Sequence, residues 1–324
     1  MNILITSCGR RTQLIKYFKN EFKGIGNVVV TDCDELAPAL YFADKFYITS
    51  RINDTNYIND LIEICKKEEI KGIMSLIDPE LSLLAKNKEK FKEIGVELIG
   101  SDYETTELCF DKYEFFKFLN ENNFKCAKTY ISLEDFKKDY NDRKISFPVF
   151  IKPRTGSASL GVNKVDFMEH LELLYKLFPN MIIQEFVKGQ EYGVDCYIDL
   201  ISNEVISIFA KKKIRMRSGE TDKAISYKND KLFEIISNLV KKANLNGTVD
   251  IDVFESDGEW IISEINPRFG GGHLLAYECK ENYPQFIINN LNNNKNKANI
   301  GSYQEGKYML KHDTLLVKDA WGVR

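Results

Sequence analysis

The sequence has little of what metal ribbons and disulfide frames are made from. Its three histidines lie far apart, and its seven cysteines (Cys8, Cys33, Cys65, Cys109, Cys126, Cys196, Cys279) include no CxxC pair and no histidine at zinc-ligand spacing. Neither a disulfide scaffold nor a structural zinc is signalled, and the thiols read as reduced and mostly buried. No window approaches the length of a membrane span, and Met1-Asn2-Ile3-Leu4-Ile5 runs into a strand with no basic segment ahead of an apolar core. A cytoplasmic protein with no membrane role is expected. Charge of one sign is missing too: 45 Lys and Arg against 48 Asp and Glu leave a formal net charge of -3. The charges are interspersed as on a solvated surface, so no nucleic-acid partner is expected. Proline is sparse at seven residues, and no Gly/Ser-rich or Pro-rich tract interrupts the chain. With 44% hydrophobic residues it has the makeup of a folded protein, and its 324 residues imply about two to three packed units.

Residues 1 to about 100 alternate short apolar runs with amphipathic stretches, the trace of βαβ units and a parallel sheet. Strands are expected at 3–5, 28–31, 46–48, 72–77 and 96–99, and helices near 12–22, 57–67 and 80–92. Polar residues gather at the strands' carboxyl ends, where open α/β sheets bind ligands: Gly9, Arg10 and Arg11, then Asp32 and Asp34, then Asp78 and Glu80. A dinucleotide fingerprint is absent, since only Gly9 of a GxGxxG is present. Asp32 is then a helix cap or a substrate contact. Ser101-x-x-Glu104 has the capping-box pattern and opens a helical region through Asp111, Lys112, Phe115 and Leu119. Later strands are expected at 147–152, 181–187, 192–199 and 205–214, a helix at 230–245 and a hairpin at 248–266. The Asn-rich run 289–299 reads as a surface linker.

The chemistry is concentrated in Asp250-Ile-Asp252-Val-Phe-Glu-Ser-Asp-Gly-Glu-Trp-Ile-Ile-Ser-Glu264-Ile-Asn266-Pro-Arg268, two strands around a Ser-Asp-Gly turn. Strand alternation puts Asp250 and Asp252 on one face, and Ile262, Glu264 and Asn266 on one face. A three-residue loop would set Asp250 beside Glu264, with Asp252 diagonal; a one-residue slip would part them. Converging carboxylates repel unless a cation sits between them, and such oxygens suit magnesium brought by nucleotide phosphates. A solvated outer face is the plain alternative. Arg268 adds a guanidinium that can meet a transferring phosphoryl group.

Two further segments fit beside it. A strand delivers Lys152 to a small-residue loop with Gly156, Ser157, Ser159 and Gly161, able to lay backbone N–H groups over phosphates, although no Walker Gly-Lys-Ser/Thr is present. A strand then carries Gln184, Glu185, Phe186 and Val187 to a kink at Gly189, where backbone can meet an adenine edge and Glu191 a ribose. In the basic run 211–217, Lys213, Arg215 and Arg217 can share a face that grips a substrate carboxylate and the transferred phosphate; a charged edge that discourages strand pairing is the other reading. Gly270, Gly271, Gly272 and His273 would line an acceptor pocket.

The order Lys112, Lys152, Gln184 to Val187, Glu191, Asp252, Glu264 and Asn266-Pro267-Arg268 resembles the ATP-grasp superfamily. In particular it resembles stand-alone proteins similar to the carbamoyl-phosphate synthase large subunit and to the pyrrolysine-biosynthesis ligase. The resemblance implies an α/β and α+β chain, with a Rossmann-like pre-ATP-grasp parallel sheet (1–105) followed by a two-lobed ATP-grasp fold. The small lobe with its glycine-rich lid would be 106–187, the large lobe with the metal site 188–300, and a tail 301–324. By the same resemblance Lys112, Lys152, Gly156, Ser157, Ser159, Gln184, Glu185, Phe186, Val187 and Glu191 hold ATP. Asp252, Glu264 and Asn266 ligate Mg2+, which Mn2+ can replace, and Asp250 is the other candidate for the first ligand. Arg268, Arg215 and Lys213 act in catalysis.

These features lead to an ADP-forming ligase that joins a small-molecule carboxylate to an amine through an acyl phosphate. A carbamoyl-phosphate-synthase-like kinase acting on bicarbonate or carbamate and a catalytically silent ATP-binding regulator are the alternatives. A homodimer is expected from the family.

Overall fold

The computed structural model describes residues 1–156 and 161–319. The first hundred residues form β1 (Asn2–Thr6), β2 (Val28–Asp32), β3 (Lys45–Ile48), β4 (Ile70–Ser75) and β5 (Glu97–Leu98), all parallel, in the order β3-β2-β1-β4-β5. Alternation sends Ile3, Ile5, Val28 and Val30 against Phe18 and Phe22 of helix Thr12–Phe22. Leu4 and Val29 go to the other face, against Tyr57 and Leu61 of helix Tyr57–Lys67. Because both faces are covered, these strands read as unbroken apolar runs. The strand order reverses between β1 and β4, and a crevice opens there at their carboxyl ends, between residues 7–11 and 76–78.

Two expectations in this region are corrected. The helix expected over 80–92 is two, Asp78–Lys86 and Lys88–Glu93, broken at Asn87. The capping box at Ser101 does not form: helix Tyr103–Phe110 starts later, and the Ser101 hydroxyl instead accepts from the Asn246 backbone N–H at 2.9 Å. Asp111 then interrupts the helical region and caps helix Lys112–Glu121 by accepting from the backbone N–H groups of Tyr113 and Glu114.

Beyond it, β6 (Thr129–Tyr130), β7 (Val149–Pro153), β8 (Asn163–Val165) and β9 (Met181–Glu185) form an antiparallel sheet in the order β6-β9-β7-β8. Helices Leu133–Asn141 and Met168–Leu177 cover it through Phe136 and Leu171. The largest sheet contains β10 (Gln190–Ile198), β11 (Val205–Arg217), β12 (Glu220–Tyr227), β13 (Gly247–Ser256), β14 (Glu259–Asn266) and β15 (Tyr308–Leu310), in the order β14-β13-β10-β11-β12-β15. Helix Asp230–Lys242 packs Leu232, Phe233, Ile236, Leu239 and Val240 on it, a helical stripe. Burying each such side chain contributes about 1.5–3 kcal/mol. Cys109, Phe115 and Leu119 belong to this same core. Helix Lys112–Glu121 thus packs Phe115 and Leu119 into the core of the large sheet while its first residue donates its backbone N–H to the Arg154 carbonyl just after β7, and β15 carries the large sheet past residue 301.

The Asn-rich run is not a mere linker. Asn290 is buried in helix Tyr283–Leu291, where its amide oxygen accepts from the Tyr197 hydroxyl at 2.7 Å and its amide nitrogen donates to Asp199 at 2.8 Å. Asn296 donates to the same Asp199 oxygen from both its backbone and its side chain. Short amides that look like loop composition satisfy a buried carboxylate here, which composition cannot reveal.

Candidate active site

The hairpin of β13 and β14 closes with a two-residue turn rather than three. Asp257 and Gly258 both have positive φ (51 and 77), and Ser256 pairs with Glu259, as in primed hairpin turns. From there Val253 pairs with Ile262, but the next pair is Asp252 with Glu264, followed by Asp250 with Asn266. Ser263 is bulged out. The bulge changes which residues share a face: Ile262 points into the core with Ile265, whereas Glu264 and Asn266 turn to the opposite side with Asp250 and Asp252. The expectation that Ile262 shares the face of Glu264 is thus overturned, and the expected pair Asp250–Glu264 becomes Asp252–Glu264.

Cations reach these acids from neighbouring strands. Gly193 on β10 lies opposite Asp252; a Cβ there would be 3.1 Å from Lys211 Cε and 3.2 Å from Lys213 Cε. Its bareness lets both lysines lie across the sheet. Lys213 Nζ sits 2.6 Å from Asp252 and 2.7 Å from Glu191, and Lys211 Nζ sits 2.6 Å from Asp195, fully buried. From the small sheet, β7 presents Lys152 at the cleft, while Lys112 donates to the Gly156 carbonyl at 2.5 Å. Burial pushes Lys152 down to about 8, with Lys112 adding to the fall and Glu264 opposing it. Burial also works to raise Glu264, but Lys152 and Lys112 outweigh it and hold that carboxyl low.

Asp252 behaves differently. Burial, with Asp250, Glu264 and Glu191 alongside, pushes it up to about 7 against the pull of Lys213. Four carboxylates converge here, and although Lys213, Lys152, Lys112 and Arg268 act on them, Asp252 stays raised, a place that a divalent cation would relieve. Among the described residues no three Asp, Glu, His or Cys side chains enclose a metal by themselves. The donor set of Asp252, Glu264 and the Asn266 amide fits magnesium only with further oxygens from a nucleotide.

The third wall is the amino-terminal crevice. Arg268 follows β14 and donates from Nε (3.1 Å) and Nη2 (3.0 Å) to one oxygen of Asp78, at the start of helix Asp78–Lys86. Its Nη1 lies 3.7 Å from Asp250. Arg11 pairs with Glu220 at 3.7 Å, and Lys311 donates to Glu220 at 3.1 Å. Of the edge acids in the sequence, the structure uses Asp32 and Glu80 as supports: Asp32 accepts from Gly9 N–H, and Glu80, fully buried, accepts from Ser7, Ser75 and Tyr57. They hold the turn after β1, where Ser7 has φ 49. Asp78 alone among them faces the cleft.

One cavity of about 560 Å³ is lined by Lys112, Lys152, Gly156, Gln184, Glu185 and Val187 from one side, and by Glu191, Lys213, Asp252, Glu264, Asn266 and Arg268 from the other. Phe186 does not line it; its ring packs on Phe150, 5.5 Å away. Arg215 is not brought to it either. Irregularities in the β11–β12 ladder on both sides of Arg215 break the alternation, so Lys213 and Met216 line the cleft while Arg215 is mostly exposed near Asp222 and Arg217 pairs with Asp313. Gly271 and Gly272 line the cavity, whereas His273 is buried between the rings of Phe269 and Tyr283. Ser157 and Ser159 lie outside the described residues. Glu220 and Met216 were not singled out from sequence; only the tight turn at Ser218-Gly219 hinted that the hairpin end doubles back there.

A cleft between an antiparallel lobe, with two lysines at its rim, and a sheet bearing acids, an amide and an arginine defines a two-lobed α+β class, with a doubly wound domain attached. Residues 109–272 match the model of the ATP-grasp domain and residues 3–99 that of the PylC-like N-terminal domain; the chain belongs to the ATP-grasp family. It is 24% identical over 242 residues to a carbamoyl phosphate synthase large chain of Clostridium acetobutylicum, covering 70% of this chain and 22% of that one, so it spans about a fifth of that relative. It is 23% identical over 243 residues to a D-alanine–D-alanine ligase of Fervidobacterium nodosum, covering 66% of this chain and 76% of that one. Its fold superposes with TM-score 0.75 and 14% identity on the biotin carboxylase domain of Hydrogenobacter thermophilus 2-oxoglutarate carboxylase, solved with MgADP and bicarbonate, covering 95% and 73% of the two chains. Among the described residues no helix is long and apolar enough to cross a membrane.

Proposed function

We infer that the protein is an ATP-dependent ligase that activates a small-molecule carboxylate as an acyl phosphate and passes the acyl group to an amine. The observation that carries this reading is the bulge-set pairing of Asp252 with Glu264, with Asn266 beside them and Lys152 beyond, in a cavity of about 560 Å³. Lys152 and Lys112 would meet the phosphates, Glu191 the ribose, and residues 184–187 the adenine edge. Asp252, Glu264 and Asn266 would hold magnesium, which supplies charge neutralisation and alignment of the phosphates when bound. Arg268 and Lys213 are placed to meet charge on the transferring group.

Phosphoryl transfer asks chiefly for positioning and charge neutralisation. A substrate carboxylate oxygen attacks the γ-phosphorus, the bond from that phosphorus to the β–γ bridging oxygen breaks, and ADP leaves. The amine nitrogen then attacks the acyl carbon, the carbon–oxygen bond to phosphate breaks, and the amine's proton passes to solvent. Shielding the acyl phosphate from water would limit its hydrolysis before the amine attacks. Replacing Glu264 with Gln should abolish ADP formation while leaving the circular dichroism spectrum unchanged; undiminished turnover refutes the assignment.

The likeness to a bicarbonate-bound carboxylase domain and to carbamoyl phosphate synthase favours one second reading, phosphorylation of bicarbonate or carbamate. ADP release stimulated by bicarbonate with no other carboxylate present would select it. A homodimer belongs to the proposal and is checked by light scattering.

A further inference from the structure

The two lysines proposed for the phosphates stand on different elements. Lys112 begins a helix whose Phe115 and Leu119 lie in the core of the large sheet, while Lys152 lies on β7 of the small sheet. Both line one cavity, and as like charges they repel, which adds to the fall of Lys152 to about 8. Like charges on separate elements stay near one space only where their backbones are fastened together.

The fastening is at Asp111, just before Lys112, and Arg154, just beyond Lys152. Arg154 Nε donates to Asp111 Oδ1 at 2.9 Å and Oδ2 at 2.7 Å, and its Nη2 lies 2.6 Å from Oδ2 and donates to Glu114 at 3.1 Å. Asp111 Oδ1 also accepts from the backbone N–H groups of Tyr113 and Glu114. Burial works to raise the Asp111 carboxyl, but Arg154 and these N–H groups outweigh it and hold it low, so the pair stays charged. The backbone adds two bonds: Lys112 N–H donates to the Arg154 carbonyl at 3.0 Å, and Arg154 N–H donates to the Asn180 carbonyl, next to β9, at 2.8 Å. One carboxylate therefore starts the helix that carries Lys112 and grips the exit of the strand that carries Lys152. A planar guanidinium on a carboxylate fixes angle as well as distance.

We propose that Arg154 is a positioning residue for the nucleotide: clamped on Asp111, it sets the separation of Lys112 from Lys152 and through it the affinity for phosphate groups. Arg154 does not itself line the cavity, so it acts through the lysines. A plain surface ion pair would contribute little to stability and leave nucleotide affinity unchanged.

The proposal rests on the nucleotide-binding part of the reading above, and their failures are distinguishable. ADP with magnesium is titrated calorimetrically into the full chain, wild type against Arg154→Met and Arg154→Lys, with thermal melts beside. Arg154→Met should bind ADP roughly tenfold more weakly, while its melting temperature stays within about 4 °C of wild type. Arg154→Lys keeps the charge and loses the planar fork, and its affinity should fall between the two. In a Lys112→Met background, Arg154→Met should weaken ADP further by less than about threefold, because one of the two lysines it spaces is gone. Wild-type affinity in Arg154→Met overturns the proposal. Wild-type affinity in Arg154→Lys overturns it too, since charge alone would then account for any loss, and this variant decides by itself if Arg154→Met does not fold. An equal loss in both backgrounds also overturns it, since Arg154 would then act elsewhere than through the lysine pair. No ADP binding by wild type refutes the nucleotide reading itself, and the clamp with it.

Discussion

Asp252 faces Glu264 across the β13–β14 hairpin because Ser263 is left out of the ladder. Without that bulge Asp252 would meet Ser263, and Glu264 would lie opposite Ile251 in the core. One unpaired residue therefore decides whether the chain has an acidic cleft or a buried unpaired charge.

The glycines after Arg268 are there for space. A Cβ on Gly270 would sit 2.3 Å from the Asp250 carboxyl carbon. Gly270→Ala should displace Asp250 and lower ADP release strongly, for a stability loss of about 1–3 kcal/mol. Thermal melts read beside turnover check this, and full activity would refute it.

Lys211 and Asp195 form a fully buried pair at 2.6 Å, with Asp195 also 3.7 Å from His273. Lys211→Met leaves the buried Asp195 without its amine partner, and should cost about 3–5 kcal/mol in urea unfolding. The double variant Lys211→Met, Asp195→Leu should regain much of that, because removing both charges removes the desolvation penalty. A double variant no better than the single one would contradict the pairing.

Asp199 gives a pH signature. Burial alone would raise its carboxyl, but donors from Asn290, Asn296 and Ser202 hold it at about 2, below the ordinary 3.8. A depressed carboxyl stabilises the fold above its unfolded pKa, and that stability is lost as pH falls from about 4 towards 2. The contribution is up to about 2 kcal/mol. The urea midpoint of wild type should exceed that of Asp199→Asn near about pH 6, and the gap should narrow by roughly half near about pH 3. A gap independent of pH would show that Asp199 contributes shape and not charge.

Much of this was legible in the sequence. Helices Thr12–Phe22 and Tyr57–Lys67 fall where periodicity places them, because a parallel sheet with both faces covered imposes strong local patterns. What could not be read is set by single residues acting against the pattern. The bulge at Ser263 breaks strict alternation, and irregularities beside Arg215 take it out of the cleft. Asn290 and Asn296 look like linker composition and instead satisfy Asp199. Asp78 and Arg268 are 190 residues apart in sequence, and only the folded chain brings them together.

Glu264→Gln is the most direct test of the central claim, assayed by ADP release under saturating ATP, carboxylate and amine while magnesium is titrated. The account predicts that the wild type is activated by magnesium and that the folded variant releases no ADP at any magnesium concentration. Turnover in the variant equal to wild type, with the same magnesium dependence, would contradict it.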